Sequence, residues 1–458
     1  MKNKLSKRIW LNILLFSFMG SVAWNVENMY FNTFLYNSIY AGASQAAING
    51  AISAPAAISN MVAISAVTAV VTTFIMGTLS DKLRNRRLFI SLGYIAWGIV
   101  TALFGFISRD NVAAVFGLQD EIKILTFTVW TVIIMDAVMT FMGSTSNDSA
   151  FNAWVTDSTT EGTRPKVETA ITVLGFIAMG LVMGIGSMVQ AGTISYFAFF
   201  LGLGIFVTLC GVAGLFLLKD PEPKVLSNEP SSSYWSDLFF GFRPSVIKDN
   251  AAFYLCLMAL CIFNISAQIF FPYIFVYFQY VVLPVNDMAN FLTAANLIPV
   301  ILAVVLAAAV IVVLMKFAAK NKALALVPAV ICFVIGMVGV YLTKNLAWVI
   351  ALAAPAIVGY IVLMIQLSAS IRDFTPVGKA GLFQGIRMIF LVMVPMVVGP
   401  KLGELACYKS GATYLDENGV SQIVPSPTMF LYAAIGGLLI FVPLFIMLKK
   451  GVFKKHEA

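Results

Sequence analysis

The sequence predicts an all-α membrane protein of twelve transmembrane helices in two pseudo-symmetric six-helix bundles. Three observations carry this. The chain of 458 residues is 60% hydrophobic and only 11% charged, with a mean hydropathy of +0.92, whereas soluble chains carry roughly 25% charged residues. Its apolar runs recur at the length of about 20 residues that a helix needs to cross a bilayer. One polar stretch, KDPEPK followed by SNEPSSS, interrupts them near the middle.

The apolar runs place spans at roughly 9–36, 48–76, 88–108, 123–151, 167–190, 194–218, 251–279, 288–315, 323–343, 346–370, 380–403 and 428–448. The first is too long for a signal-peptide core and no small-residue cleavage site ends it, so it is expected to stay as a span. Six spans precede the polar stretch and six follow it. The expected organisation is a bundle over 1–219, a linker over 220–250 and a bundle over 251–458. In the linker Trp235, Leu238, Phe239 and Phe242 recur at helical spacing, which predicts a short amphipathic helix on the membrane surface.

Lys and Arg set the orientation. Of the 29, 23 fall in the connections on the side of the N-terminus, five on the opposite side, and Arg387 lies inside a span. Both termini are therefore expected in the cytoplasm, in a multi-pass plasma (inner) membrane protein. The bias, with attraction to anionic lipid, accounts for the net charge of +8 without nucleic acid. Five cysteines without a CxxC indicate neither a disulfide framework nor a zinc site. The single histidine, His456, and the lack of a GxxxxGK[ST] loop leave no basis for His chemistry or ATP hydrolysis. The chain is not expected to be an enzyme, to hold a cofactor or metal, or to be other than a monomer in lipid.

The two halves echo one another. Asp157-Ser-Thr159-Thr-Glu-Gly162 after span four and Asp373-Phe-Thr375-Pro-Val-Gly378 after span ten are both D-x-T-x-x-G. A basic residue follows each, Arg164 and Lys379, and Glu168 matches Gln384 at the same offset. Glu27, Phe34 and Tyr36 likewise align with Gln268, Phe275 and Tyr277. Duplicated halves with a site near the midplane are a mark of secondary transporters. The aspartate and threonine of each D-x-T-x-x-G loop can gate the cytoplasmic side. They can equally cap the following helix.

The candidate site starts from Glu27, in the middle of the first span. An acid at that depth usually faces a polar cavity on a substrate or ion path, though a hydrogen bond between helices is the alternative. Ser21, Asn25, Asn28 and Asn32 advance by four, three and four residues on one face, with Glu27 at its edge. Asp136 lies about twelve residues from the outer end of span four, near mid-membrane. Asp148 lies among Ser144, Asn147, Ser149 and Asn152. In the second half Asn264, Gln268 and Gln366 suit hydroxyl recognition or interhelical bonding, and Arg387 suits an acid partner, an anionic solute or the interface. Trp24, Tyr30 and Tyr273 can stack on a sugar or pack in the core.

Gly77-Thr-Leu-Ser-Asp81-Lys82-Leu-Arg84-Asn-Arg86-Arg87, between spans two and three, resembles the G-x-L-x-D-R/K-x-x-x-R/K loop of the major facilitator superfamily. That resemblance implies the twelve-helix major facilitator fold. It also implies a charge relay through Asp81, Lys82, Arg86 and Arg87 that latches the halves on the cytoplasmic side. Ala153-Trp-Val-Thr-Asp157-Ser-Thr159-Thr-Glu161-Gly-Thr-Arg164 is similar to the loop after span four in glycoside–pentoside–hexuronide:cation symporters. Through that branch Asp148 is implied to contact both sugar and coupling cation. The acid pair that the branch carries on span two falls here on Ala69 and Thr73. The function expected is secondary active transport of a small polar solute, a sugar or glycoside among them, coupled to a proton or sodium held by Glu27 and Asp148. A proton-coupled exporter and a lysolipid carrier of the same fold are the alternatives.

Overall fold

The computed structural model describes residues 5–83, 85–159, 163–220, 242–286, 293–320, 322–375, 386–415 and 419–452. Among them, twelve helices are long and apolar enough to cross a membrane: Lys7–Tyr40, Ala54–Gly77, Arg86–Phe104, Glu121–Ser158, Ala170–Gln190, Tyr196–Leu217, Ala251–Val285, Ala294–Ala318, Ala325–Leu342, Leu346–Ile371, Ile386–Ser410 and Thr428–Lys449. They are spans one to twelve below. The expected linker helix at Trp235, Leu238 and Phe239 lies outside the described residues; Pro244–Asp249 forms a short helix just after it.

Local chemistry sets where the spans begin. Ser6, Asn85, Asp120 and Ser195 stand before spans one, three, four and six, and each side chain accepts from a free backbone N–H of the first turn. Ser44 does the same for Gln45–Gly50, a short helix that takes the residues expected to open span two. A second unforeseen helix, Arg109–Phe116, bridges spans three and four and ends on Gly117 at φ 64°. Span eleven ends on Gly411 at φ 60°. It is followed by an antiparallel hairpin of β1 (Thr413–Leu415) and β2 (Ser421–Ile423), in which Tyr414 faces Gln422.

The chain divides into two compact units, residues 1–57 with 64–229 and residues 58–63 with 230–458. Their internal packing repeats. In the first unit span one packs on span five and span three on span six; in the second, span seven packs on span eleven and span nine on span twelve. Glycines permit the closest approaches. A Cβ on Gly98 would lie 2.4 Å from the Thr208 nitrogen, and one on Gly403 would lie 2.2 Å from the Ile269 carbonyl oxygen. Span eight is the outlier. Ile301, Leu302, Val304, Val305 and Leu306 are all more than half exposed, the surface a helix presents to lipid.

Four spans contain π-helical turns among the described residues: Leu35–Tyr40 in span one, Ser144–Phe151 in span four, Phe278–Val282 in span seven and Ile389–Met393 in span eleven. The span-four segment follows from its sequence, STSNDSAF. Thr145 and Ser146 hydroxyls donate to the carbonyls of Phe141 (2.7 Å) and Met142 (2.8 Å), competing with the helical ladder and favouring the wider turn.

Candidate functional site

Span four supplies the frame of the site. Asp136, Thr140, Ser144 and Asp148 follow one another at intervals of four residues, which puts them on one face. The Thr140 hydroxyl donates to Glu27 Oε1 of span one at 3.0 Å. Ser65 of span two donates to Asp136 Oδ2. Ser144 donates to Asp148 Oδ2 at 3.0 Å. Each acid thus receives one hydroxyl. Glu27 Oε2 and Asp136 Oδ1 have no hydrogen-bond partner, although Glu27 is 9% and Asp136 2% exposed. Asp148 is half-buried.

Both aspartates act on Glu27. Asp136 is the stronger electrostatic neighbour of Glu27 and Asp148 the weaker. No Lys, Arg or His pairs with any of them among the described residues. Nor do three His, Cys, Asp or Glu side chains converge to hold a metal ion among those residues. A cluster of this kind changes its free energy steeply when a proton or another cation arrives, because buried charge without a partner is expensive.

Aromatic rings wall the cluster. Trp24, one turn before Glu27, meets Trp97 of span three at 5.1 Å between ring centroids. Trp24 lies within hydrogen-bonding reach of Asp148, and the Trp97 indole N–H has no hydrogen-bond partner among the described residues. A Cβ on Gly143 would come within 2.9 Å of Trp24 and 3.0 Å of Trp97, so the small residue at 143 admits both rings. Tyr30 and Tyr273 serve packing. Tyr30 meets Phe199 at 5.5 Å, and the Tyr273 hydroxyl donates to the Pro400 carbonyl at 2.9 Å.

The asparagine stripe is less unified than its spacing. Asn25 and Asn28 each donate to the backbone carbonyl four residues back at 2.7 Å, and Asn32 does so at 3.4 Å. Asn28 is exposed, while Asn32 is buried with its Oδ1 unpartnered. Asn152 is exposed and bonds the Asp148 carbonyl at 3.1 Å. In the second unit Asn264 reaches the Leu391 carbonyl at 3.2 Å. Gln366 is buried beside Met315 sulfur at 3.4 Å. Gln268 packs against Gly399, and Arg387 is half-buried at the start of span eleven.

The repeated aspartates are not helix caps. Asp157 lies within the helix Asn152–Ser158 and Asp373 ends the helix Leu346–Asp373. Arg86 Nε pairs with Asp157 Oδ2 at 2.8 Å, and Lys322 pairs with Asp373. Arg86 and Lys322 are the first residues of their helices. Each pair therefore joins a base at a helix N-terminus to an acid at a helix C-terminus, the two placements the helix dipole disfavours. Thr159 and Thr375 donate back to the carbonyls of Val155 (2.8 Å) and Ile371 (2.7 Å), and Thr163, before the helix that follows, makes no side-chain cap. Of the two roles open to these loops, the described contacts do not show capping, because both threonines close the helix behind them. Arg87 holds the end of span six instead, its backbone N–H donating to Asp220 at 2.8 Å and its guanidinium to the Leu215 carbonyl. A Cβ on Gly77 would lie at an ordinary 3.5 Å from Ser149 Oγ. The side chains of Asp81, Lys82 and Arg164, and residues Lys379 and Gln384, lie outside the described part.

Several participants escaped the sequence reading. Ser65, Thr140 and Trp97 were unmarked, although the D-x3-T-x3-S-x3-D spacing of span four was there to be found. Glu404 was missed as well. Within the second unit it accepts from Ser59 and, at 2.9 Å, from Lys401, which also donates to Asn60 at 2.7 Å.

The fold has solved counterparts. A structure of a variant of the nucleoside transporter NupG aligns with TM-score 0.64 at 11% identity, over 96% of this chain and 99% of that one. An auto-inhibited POT family peptide transporter aligns with TM-score 0.59 at 12% identity, over 98% and 97%. A bacterial homolog of the human lysosomal transporter Spinster aligns with TM-score 0.54 at 12% identity, over 98% and 97%. At such identities the likeness shows the fold alone. No curated protein matches the sequence. The sequence profile of the Major Facilitator Superfamily matches residues 5–400. With twelve spans and this fold in place, the chain belongs to the Major Facilitator Superfamily and is a multi-pass membrane transporter.

Proposed function

We propose that the protein is a secondary active transporter of the inner membrane that moves a small polar solute by alternating access, coupled to a proton or sodium. A sugar or glycoside is the solute class that the glycoside–pentoside–hexuronide resemblance favours. The observation that carries the coupling is the pair of buried, unpartnered carboxyl oxygens on Glu27 and Asp136. An acid that is costly when ionised and empty restricts the carrier to crossing in neutralised forms, which ties solute movement to a cation. Asp148, less buried than the other two and beside Trp24, is the acid we assign to the solute. Asn25, Asn28, Asn32 and Asn152 are further polar candidates within the first unit, and Gln268, Gln366 and Arg387 are candidates within the second. We assign cytoplasmic gating to Gly77, Asp81, Lys82, Arg86, Arg87, Asp157 and Arg164 within the first unit and to Asp373 within the second.

The test is uptake of radiolabelled sugars into proteoliposomes under an imposed proton or sodium gradient. Wild-type protein should accumulate solute uphill. Glu27→Gln and Asp136→Asn should abolish accumulation while downhill exchange persists. Normal gradient-driven uptake in both variants would remove these acids from coupling. Solute leaving against an inward proton gradient would instead identify an exporter, and labelled lysolipid flux without sugar flux a lipid carrier.

A further inference from the structure

We infer that the corner where the first turns of spans one and three meet the end of span six binds an anionic phospholipid. It lies wholly within the first unit and is independent of the solute and the coupling ion. Span six ends there with its last four carbonyls all taken. The Leu218 N–H donates to Gly214, the Arg87 guanidinium to Leu215 and Arg8 Nη2 to Phe216 at 2.8 Å. Arg8 Nε and Asn12 Nδ2 donate to Leu217 at 2.6 and 3.1 Å. The orphan carbonyls of one helix thus tie it to two others. Carbonyls are neutral, so both guanidinium charges remain to be balanced.

The corner carries far more positive than negative charge. Spans one and three bring the positive ends of their dipoles, and neither has an acid in its first turn. Lys7 and Arg8 open span one, Arg86 and Arg87 open span three, and Lys219 stands two residues beyond span six. Arg86 is paired with Asp157, and Asp220 receives the Arg87 backbone N–H. Among the described residues Lys7, Arg8 and Lys219 have no ion-pair partner, and all three are exposed. The bias of Lys and Arg between the two sides of the membrane accounts for the side on which they stand. It does not account for two arginines tied to the carbonyls of one helix end.

Next to these cations the surface is apolar. Lys7, Leu11 and Leu14 advance by four and three residues on one face of span one, and Leu209, Val212 and Phe216 advance by three and four on one face of span six. All are exposed, Leu11 at 51% and Phe216 at 74%. A ligand suited to this surface carries negative charge at the membrane boundary and hydrocarbon inside it. A phospholipid of net negative charge has both. Its phosphate meets Lys7, Lys219 and the guanidinium N–H groups that Arg8 has to spare, and its chains lie along the leucines, Val212 and Phe216. A zwitterionic lipid brings its own cation to the same place and gains less.

Native mass spectrometry of the purified full chain in detergent, titrated with dioleoyl phosphatidylglycerol or dioleoyl phosphatidylcholine, counts the lipids retained. Wild type should hold phosphatidylglycerol in preference and melt at a higher temperature in its presence. Joint replacement Lys7→Gln and Lys219→Gln should weaken retention about tenfold or more, with Tm in phosphatidylcholine unchanged. Arg8 stays in place because it ties the helices. Phe216→Ala keeps every charge and should also weaken retention. Lys316→Gln with Lys450→Gln removes the same charge from the second unit and should leave retention as in wild type. Equal loss in that control pair would reduce the effect to diffuse surface charge and overturn the inference. So would undiminished retention in the Lys7 and Lys219 variant, or phosphatidylcholine held as well as phosphatidylglycerol. Inorganic phosphate raising Tm as much as the lipid would show an anion site that needs no lipid, and would overturn it too.

Discussion

At the scale of single residues, Gly143 shows how the first unit makes room for its aromatic wall. Its missing side chain leaves the space that Trp24 and Trp97 occupy, and a Cβ there would stand 2.9 to 3.0 Å from their rings. Trp97 is fully buried and cannot retreat toward solvent. Gly143→Ala should therefore destabilise the protein by about 1–3 kcal/mol, the range for overpacking a filled core. It should also displace Trp24 from Asp148. Thermal unfolding in detergent, with tryptophan fluorescence as the probe, checks both, and an unchanged Tm with unchanged emission would show that the rings yield freely.

At the scale of elements, the paired ion bridges Arg86–Asp157 and Lys322–Asp373 are the clearest product of the repeat. Both join the head of one helix to the tail of another inside a single unit. Asp157 is 38% and Asp373 51% exposed at the side chain, and exposed pairs contribute only about 0–1 kcal/mol. Their value thus lies in fixing where the helix ends meet. Arg86→Asp and Asp157→Arg, each alone, place like charges together and should slow transport with little change in Tm. The double exchange should recover most of the rate. A double variant no better than the worse single one would show that neither charge acts through the other.

At the scale of the whole molecule, the charge bias of the connections predicts which ends face the cytoplasm. On a cysteine-free background, Lys409→Cys should react with a membrane-impermeant thiol reagent in intact cells. Lys450→Cys should react only after permeabilisation. Labelling in the opposite order would invert the topology. The same bias leaves the spans nearly free of basic residues, and among the described residues no cation pairs with Glu27, Asp136 or Asp148.

The sequence by itself determined the span number, the duplication and the superfamily. Each rests on what one segment must do alone: an apolar run of about 20 residues has to satisfy its backbone internally to enter lipid, whatever packs beside it. It also marked Glu27, Asp136 and Asp148 individually, since an acid at that depth is conspicuous on any helix. Only tertiary structure decided which acids act together and what holds them. Ser65 and Thr140 are ordinary residues until they meet Asp136 and Glu27 on other helices, and Trp97 until span three brings it to Trp24, because a hydroxyl or an indole gains its role from its partner. The same holds for Asp157 and Asp373. Their loops read locally as caps, but the bases that claim them stand about 50 to 70 residues earlier, and contacts that distant are set by helix packing rather than by local sequence.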